Sequence, residues 1–363
     1  MGKRIIIAGG GTGGHIFPAI AIANALKKID DSVEILFVGA KGKMEMEKVP
    51  QAGYQIKGLY IAGFNRSSLI KNMGLPFKLL KSFLQVRSIF KKFKPDAAIG
   101  VGGYSSFPVL RFAQAGGIKT FIHESNSFAG RSNIMLGNKA TAVFTGTNGM
   151  EKFFPANKIK VTGNPVRTSI AGASVTKKEG LQYFSFDATK KTVLIVGGSL
   201  GAKSINEAID KGLDDLLKAG LQIIWQTGKL FSARARERSK GKESVWSDDF
   251  ITQMEYAYAA ADIVVARAGA MTVAELCVVK KPVLFIPYPY AAEDHQTVNA
   301  MQLVRKNAAL MVKDDEVMQK LVFMTIELSM DEDKQNDLKK NIATLAITDA
   351  DMKIAEEILK SIR

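Results

Sequence analysis

Twice in this chain a short apolar run ends in glycines and passes directly into a helical pattern. The first is Arg4-Ile5-Ile6-Ile7-Ala8 followed by "GGGTGGHIFP" (Gly9–Pro18), and the second is "KTVLIVGGSLGAKSINEAI" (Lys191–Ile209). Strand, tight turn and helix in that order make a βα unit, and repeated βα units lead to a parallel sheet covered by helices. Further strands are expected at Val33–Val38, Ala97–Val101, Lys119–His123 and Ala142–Thr145, and later within "LQIIWQTG", "DIVVAR" and "PVLFIPYP". Helical patterns such as Phe17–Lys28 and Pro108–Ala115 lie between them. The fold class is therefore α/β, with two tandem doubly wound domains facing a cleft. A length of 363 residues suits two domains. They are placed at 1–163 and 164–340, parted near the Gly-Asn-Pro turn of "VTGNPVR". Residues 341–363 are read as a C-terminal segment, helical over Met352–Arg363, that packs back on the first domain.

Charge separates the two halves. Residues 1–163 hold 23 Lys/Arg against 8 Asp/Glu, whereas residues 164–363 hold 27 of each, so the whole net charge of +15 sits in the first half. A one-sided basic domain implies an anionic partner. Cys277 is the one cysteine, which excludes an internal disulfide and suits a reducing compartment. No stretch is apolar for the ~18 residues a membrane span needs. The apolar run in "MGKRIIIAGGG" is too short for a signal peptide.

Gly9, Gly11 and Gly14 satisfy G-x-G-x-x-G, a weak signal alone. A nicotinamide dinucleotide site wants an acid at the end of the second strand, but "VEILFVG" runs into Ala40 and Lys41. Five glycines with one threonine exceed what a packing turn requires, so the loop is read as facing a ligand. The turn Gly197-Gly198-Ser199 is either a plain βα turn or a phosphate site using backbone N–H groups and the Ser199 hydroxyl. In "RAGAMTVAEL", Ala270, Met271 and Thr272 open a helix whose first N–H groups suit a diphosphate. Glu275 either binds ribose hydroxyls or stabilises the helix start. Gln296 lies in the polar loop "PYPYAAEDHQTVNA" after a buried strand. In "HESNSFAGRSN", His123 and Glu124 form either an acid/base pair or a buried pair that fixes the loop, and Asn126 is placed to hold a sugar hydroxyl. Three scattered histidines give no metal-ligand spacing and the D-x-D at Asp331/Asp333 follows no apolar strand, so no metal and no cofactor are expected. Arg167 is the cation offered to a leaving diphosphate.

The stretch "GLPFKLLKSFLQVRSIFKKFKP" (Gly74–Pro95) mixes Leu and Phe with six Lys/Arg and contains no acid. Apolar bulk beside a purely basic face suits a helix lying on an anionic membrane. No helix-turn-helix, zinc or RNP-type motif accompanies it, so nucleic acid is not an expected partner.

The motifs "GGTGGHIFPA", "GGY", "HESN", "GNPVR", "GGSLGA", "RAGAMTVAE" and "DHQTVNA", in this order over nearly the whole chain, resemble the bacterial MurG family. That resemblance implies two Rossmann-like domains in a glycosyltransferase B-type fold. It implies an inverting transfer of N-acetylglucosamine from UDP-N-acetylglucosamine to the C4 hydroxyl of undecaprenyl-diphosphate-linked N-acetylmuramoyl-pentapeptide, in peptidoglycan synthesis at the cytoplasmic face of the cell membrane. Thr12, Gly13, Gly14 and Asn126 would then face the reacting sugar. Arg167 and Ser199 would contact the donor diphosphate, and main-chain groups of Ile251 would read uracil. Ala270, Met271 and Thr272 would present N–H groups to the donor, Glu275 would bind ribose, and Gln296 the sugar hydroxyls. His15 is the first candidate for the base and Glu124 the second. A UDP-sugar 2-epimerase, an NAD-dependent oxidoreductase and a non-enzymatic basic adaptor are the competing readings.

Overall fold

The computed structural model describes residues 2–61, 75–198 and 200–362. The chain divides into two compact units, one of residues 1–167 with 348–363 and one of residues 168–347. In the first unit the strands are β1 (Arg4–Ala8), β2 (Glu34–Ala40), β3 (Gln55–Leu59), β4 (Ala97–Gly100), β5 (Lys119–Glu124), β6 (Ala142–Thr145) and β7 (Ile159–Val161). They pair in the order β3-β2-β1-β4-β5-β6-β7, every pair parallel. The second unit carries β8 (Thr192–Val196), β9 (Gln222–Gln226), β10 (Val245–Asp248), β11 (Ile263–Ala266), β12 (Val283–Phe285) and β13 (Leu310–Met311). Their order is β10-β9-β8-β11-β12-β13, again all parallel. Strand order reverses between β1 and β4 in one sheet and between β8 and β11 in the other, and ligand crevices of such sheets open at the carboxyl ends of the strands at that reversal. Both glycine turns emerge there.

Side-chain alternation along β1 builds two cores, one on each face of the sheet. Ile5 and Ile7 pack with Ile16, Ile22 and Leu26 of helix Gly13–Ile29, and with Ile354, Ala355 and Ile358 of the terminal helix Ala350–Ser361. Ile6 and Ala8 pack on the other face with Val86 and Phe90 of helix Leu75–Phe93 and Val109 and Leu110 of helix Ser106–Ala115. In the second unit Val193 and Ile195 meet Ile205, Ile209, Leu213 and Leu216 of helix Lys203–Lys218.

The structure departs from the sequence pattern at two places. β3, β7, β10 and β13, the strands at the four sheet edges, carry no long apolar run and are missed by the pattern. The first helix also begins earlier than Phe17, at Gly13. Thr12 is its N-cap residue with extended backbone, and its carbonyl accepts from the N–H groups of His15 (3.1 Å) and Ile16 (3.2 Å). Gly13, Gly14 and His15 therefore form the first helical turn.

Candidate active site

That first turn fixes His15 at the carboxyl end of β1. Its Nδ1 lies 3.1 Å from the Gly10 carbonyl oxygen. A nitrogen facing a carbonyl must carry the proton, which leaves Nε2 as the acceptor. The ring lies against Gly102 after β4, where an added Cβ would come within 2.6 Å of Nε2 and Cδ2. At Gly103, φ is +88° and a Cβ would stand 2.4 Å from the Gly10 carbonyl oxygen, so a side chain is excluded by both conformation and space. The two loops are also bonded: Gly10 N–H donates to the Gly102 carbonyl (3.2 Å), and Ser106 Oγ donates to the carbonyls of Ala8 (2.8 Å) and Gly102 (3.0 Å). Burial holds the His15 pKa below the ordinary imidazole value, opposed by the Gly10 carbonyl, Glu124 and Glu45. The imidazole is therefore neutral near pH 7 and able to accept a proton.

His123 and Glu124 are successive residues of β5, so their side chains leave opposite faces of the strand and do not form the acid/base or loop-fixing pair that the sequence suggests. Glu124 is buried and saturated. One oxygen accepts from Asn126 N–H (3.1 Å) and Nδ2 (3.3 Å), the other from Gly130 N–H (2.9 Å) and Asn133 Nδ2 (2.8 Å). The carboxylate shapes the loop and aims the Asn126 carboxamide. His123 is also buried, its Nε2 has no hydrogen-bond partner among the described residues, and burial pushes its pKa down to about 4. The guanidinium of Arg167 stacks 4.6 Å from the Phe17 ring, on the helix that the glycine loop opens.

In the second unit the helix Ala270–Val279 starts at the end of β11, with Gly269 as N-cap residue. Its first-turn N–H groups, those of Ala270, Met271 and Thr272, have no acceptor within the helix. Glu275 is buried one turn further on, and its carboxylate accepts from the Tyr258 hydroxyl at 3.1 Å. Gln296 stands in the first turn of helix His295–Val304, and its Oε1 accepts from Tyr288 N–H (3.0 Å). Glu293 and Asp294 before it both have left-handed backbone, at φ +53° and +51°. Strain of this kind is held only where surrounding structure enforces it, and it recurs at ligand-binding loops. Ile251 is buried and its N–H donates to Gln226 Oε1 (3.0 Å), so a main-chain contact from Ile251 to a base must use its carbonyl. Ser199 lies outside the described residues.

Three organising residues escaped the sequence reading. Glu45 is buried beneath the first glycine loop and accepts from the N–H groups of Gly11 (2.8 Å) and Ala40 (2.9 Å). Gln226, at the end of β9, donates Nε2 to the Gly198 carbonyl (3.0 Å) and so holds the second glycine turn. Arg267, the first residue of "RAGAMT", donates to the carbonyls of Ile286 (3.1 Å) and Pro287 (3.1 Å), to Asp314 (2.6 Å) and to Ser204 Oγ (2.9 Å). It ties the loop after β12 to the helix after β8. The available signal was an arginine directly following an apolar strand.

Helix Leu75–Phe93 buries Ser82, Val86 and Phe90 and leaves Phe77 (78% exposed), Leu80 (61%) and Leu84 (61%) on the surface beside Lys78 and Lys81. Among the described residues no helix is long and apolar enough to cross a membrane.

Comparison with known proteins shows the family of the chain. Residues 5–145 match the glycosyltransferase family 28 N-terminal domain and residues 192–357 its C-terminal domain. A Phocaeicola vulgatus protein named UDP-N-acetylglucosamine–N-acetylmuramyl-(pentapeptide) pyrophosphoryl-undecaprenol N-acetylglucosamine transferase is 50% identical over 360 residues, covering 98% of this chain and 96% of its own. A Flavobacterium psychrophilum protein of the same name is 49% identical, covering 98% and 97%. The crystal structure of Acinetobacter baumannii MurG matches with a TM-score of 0.76 at 27% identity, over 99% of both chains. A UDP-N-acetylglucosamine 2-epimerase structure, at 16% identity and a TM-score of 0.67, shares the fold alone. The chain belongs to the MurG family of UDP-N-acetylglucosamine-dependent glycosyltransferases.

Proposed function

We propose that this chain transfers N-acetylglucosamine from UDP-N-acetylglucosamine to the C4 hydroxyl of undecaprenyl-diphosphate-linked N-acetylmuramoyl-pentapeptide, with inversion, and that His15 removes the hydroxyl proton. The hydroxyl oxygen forms a bond to the anomeric carbon while the bond from that carbon to the UDP oxygen breaks. The electron pair leaves on the diphosphate and the proton goes to His15 Nε2. The observation that carries the assignment is the neutral imidazole whose Nδ1 is committed to the Gly10 carbonyl. Glu124 offers no comparable lone pair, because four donors occupy it. Thr12, Gly13, Gly14 and Asn126 serve the acceptor and the reacting sugar. On the donor side, the N–H groups of Ala270, Met271 and Thr272, the Arg167 guanidinium and the Ser199 hydroxyl are assigned to the growing diphosphate charge. Glu275 accepts from the ribose hydroxyls, the Ile251 carbonyl accepts from uracil N3–H, and Gln296 holds the sugar through its amide nitrogen.

The lipid acceptor requires a membrane surface. The exposed Phe77, Leu80 and Leu84 beside lysines support peripheral docking on an anionic leaflet, at the cytoplasmic face, where this step would feed peptidoglycan synthesis and through it cell shape and division. Incubation with UDP-N-acetylglucosamine and lipid-linked muramoyl-pentapeptide tests the reading. A disaccharide-bearing lipid product is expected. Epimerisation of the donor without acceptor, or saturable NADH binding without UDP binding, would overturn it.

A further inference from the structure

Glu45 is a carboxylate 1% exposed, yet among the described residues its partners are main-chain N–H groups and not a cation. Each oxygen takes one of them. Oε2 holds Gly11 in the loop after β1, and Oε1 holds Ala40 at the end of β2. The loop is shaped to receive it. A Cβ on Gly10 would stand 2.2 Å from the carboxyl carbon, and one on Gly39 would stand 2.5 Å from Cγ. Gly10 is also the residue whose carbonyl faces His15 Nδ1. We propose that Glu45 is a positioning residue of the transfer reaction: it fixes the glycine loop so that the Gly10 carbonyl sets the tautomer and the direction of His15.

This inference rests on His15 being the base and adds the group that orients it. A merely structural brace would fasten β1 to β2 and leave His15 indifferent. The geometry joins Glu45 to His15 through Gly11 and Gly10, and its charge also reaches the ring, because the titratable groups that act on His15 are Glu124, Glu45 and His123. Both carboxylates raise the His15 pKa against the lowering by burial. Loss of the Glu45 charge must therefore lower that pKa further, and a base that works when neutral then keeps working to lower pH.

The test uses the full chain as Glu45→Gln and Glu45→Asp, with His15→Ala beside them. Gln keeps one acceptor but turns an amide N–H₂ against a main-chain N–H, while Asp keeps the charge but is too short to span both donors. Thermal melts check folding. Steady-state assays with UDP-N-acetylglucosamine and lipid-linked muramoyl-pentapeptide give kcat and KM, and NMR of ¹⁵N-labelled histidine follows the His15 ring. The expected result is folded protein with kcat reduced at least tenfold in both variants and the donor KM within twofold. In Glu45→Gln, the acid limb of kcat and the His15 titration move together to lower pH. They move less in Glu45→Asp. Unchanged kcat, an unmoved His15 titration in Glu45→Gln, or loss of the fold in both variants would overturn the inference and leave Glu45 a structural brace. Near-normal turnover in His15→Ala would overturn the base assignment instead, whatever the Glu45 variants do.

Discussion

The glycine loop after β1 and the glycine turn after β8 stand at the same place in two sheets of the same strand order, yet opposite chemistry fastens them. The first is held from below by a carboxylate, Glu45, through the N–H groups of Gly11 and Ala40. The second is held by a carboxamide, Gln226, which donates to the Gly198 carbonyl and accepts from Ile251 N–H. A carboxylate only accepts, so it can gather N–H groups; a carboxamide does both and can bridge a carbonyl to an N–H. The difference suits the proposed division of labour. Negative charge beside His15 supports a base that becomes cationic as it takes a proton, whereas a buried negative charge beneath a diphosphate site would repel the ligand. The chain as a whole carries the opposite sign there, with all the net positive charge in residues 1–163.

Four experiments press on this contrast. The largest effect is expected at the basic surface of the first unit. Lysine near an anionic leaflet contributes about 1 kcal/mol each, so Lys78, Lys81, Lys91 and Lys92 all changed to Glu should abolish flotation with vesicles containing anionic lipid. Flotation as in the parent protein would return helix Leu75–Phe93 to an ordinary surface role. Next comes His123. Its pKa is about 4 in the fold against 6.5 for the ordinary group, so the unfolded chain binds the proton first. Stability is complete above pH 6.5 and falls by about 3 kcal/mol as the pH drops toward 4. Chemical denaturation across that range should show the loss, and His123→Gln should flatten the curve.

Glu275→Ala removes the proposed ribose acceptor in the second unit. Hydrogen bonds to charged groups contribute roughly 2 kcal/mol, so KM for UDP-N-acetylglucosamine should rise by more than tenfold while kcat changes little. Isothermal titration with UDP offers an independent reading. The smallest effect tests the fastening itself. Gln226→Glu sets a carboxylate against the Gly198 carbonyl and should weaken UDP binding severalfold, the effect growing as salt is lowered. Tighter UDP binding in that variant would break the contrast between the two loops.

The central strands were legible because both of their faces are covered. "RIIIA", "TVLIV" and "IVVA" are buried on either side of a parallel sheet and read as continuous apolar runs. The four edge strands were not. "QIKGL", "IKV" and "VWSD" keep charged or polar residues at the sheet margin, and "LM" is two residues long. The candidate site divides in the same way. Motif residues that open helices at strand ends, such as His15 and Ala270–Thr272, stand out by position alone. Residues that hold these loops from beneath do not. Glu45 reaches back across a turn, Gln226 completes a buried strand, and the four donors on Glu124 come from residues two to nine positions further along. Their roles depend on contacts that no local pattern encodes.

The central claim is that the first unit supplies the base and the second holds the donor. Its most direct test is steady-state transfer by His15→Ala with UDP-N-acetylglucosamine and lipid-linked muramoyl-pentapeptide. The account predicts a kcat about a thousandfold lower, within the range for loss of a general base, with the donor KM within twofold of the parent protein. Near-normal kcat would contradict it.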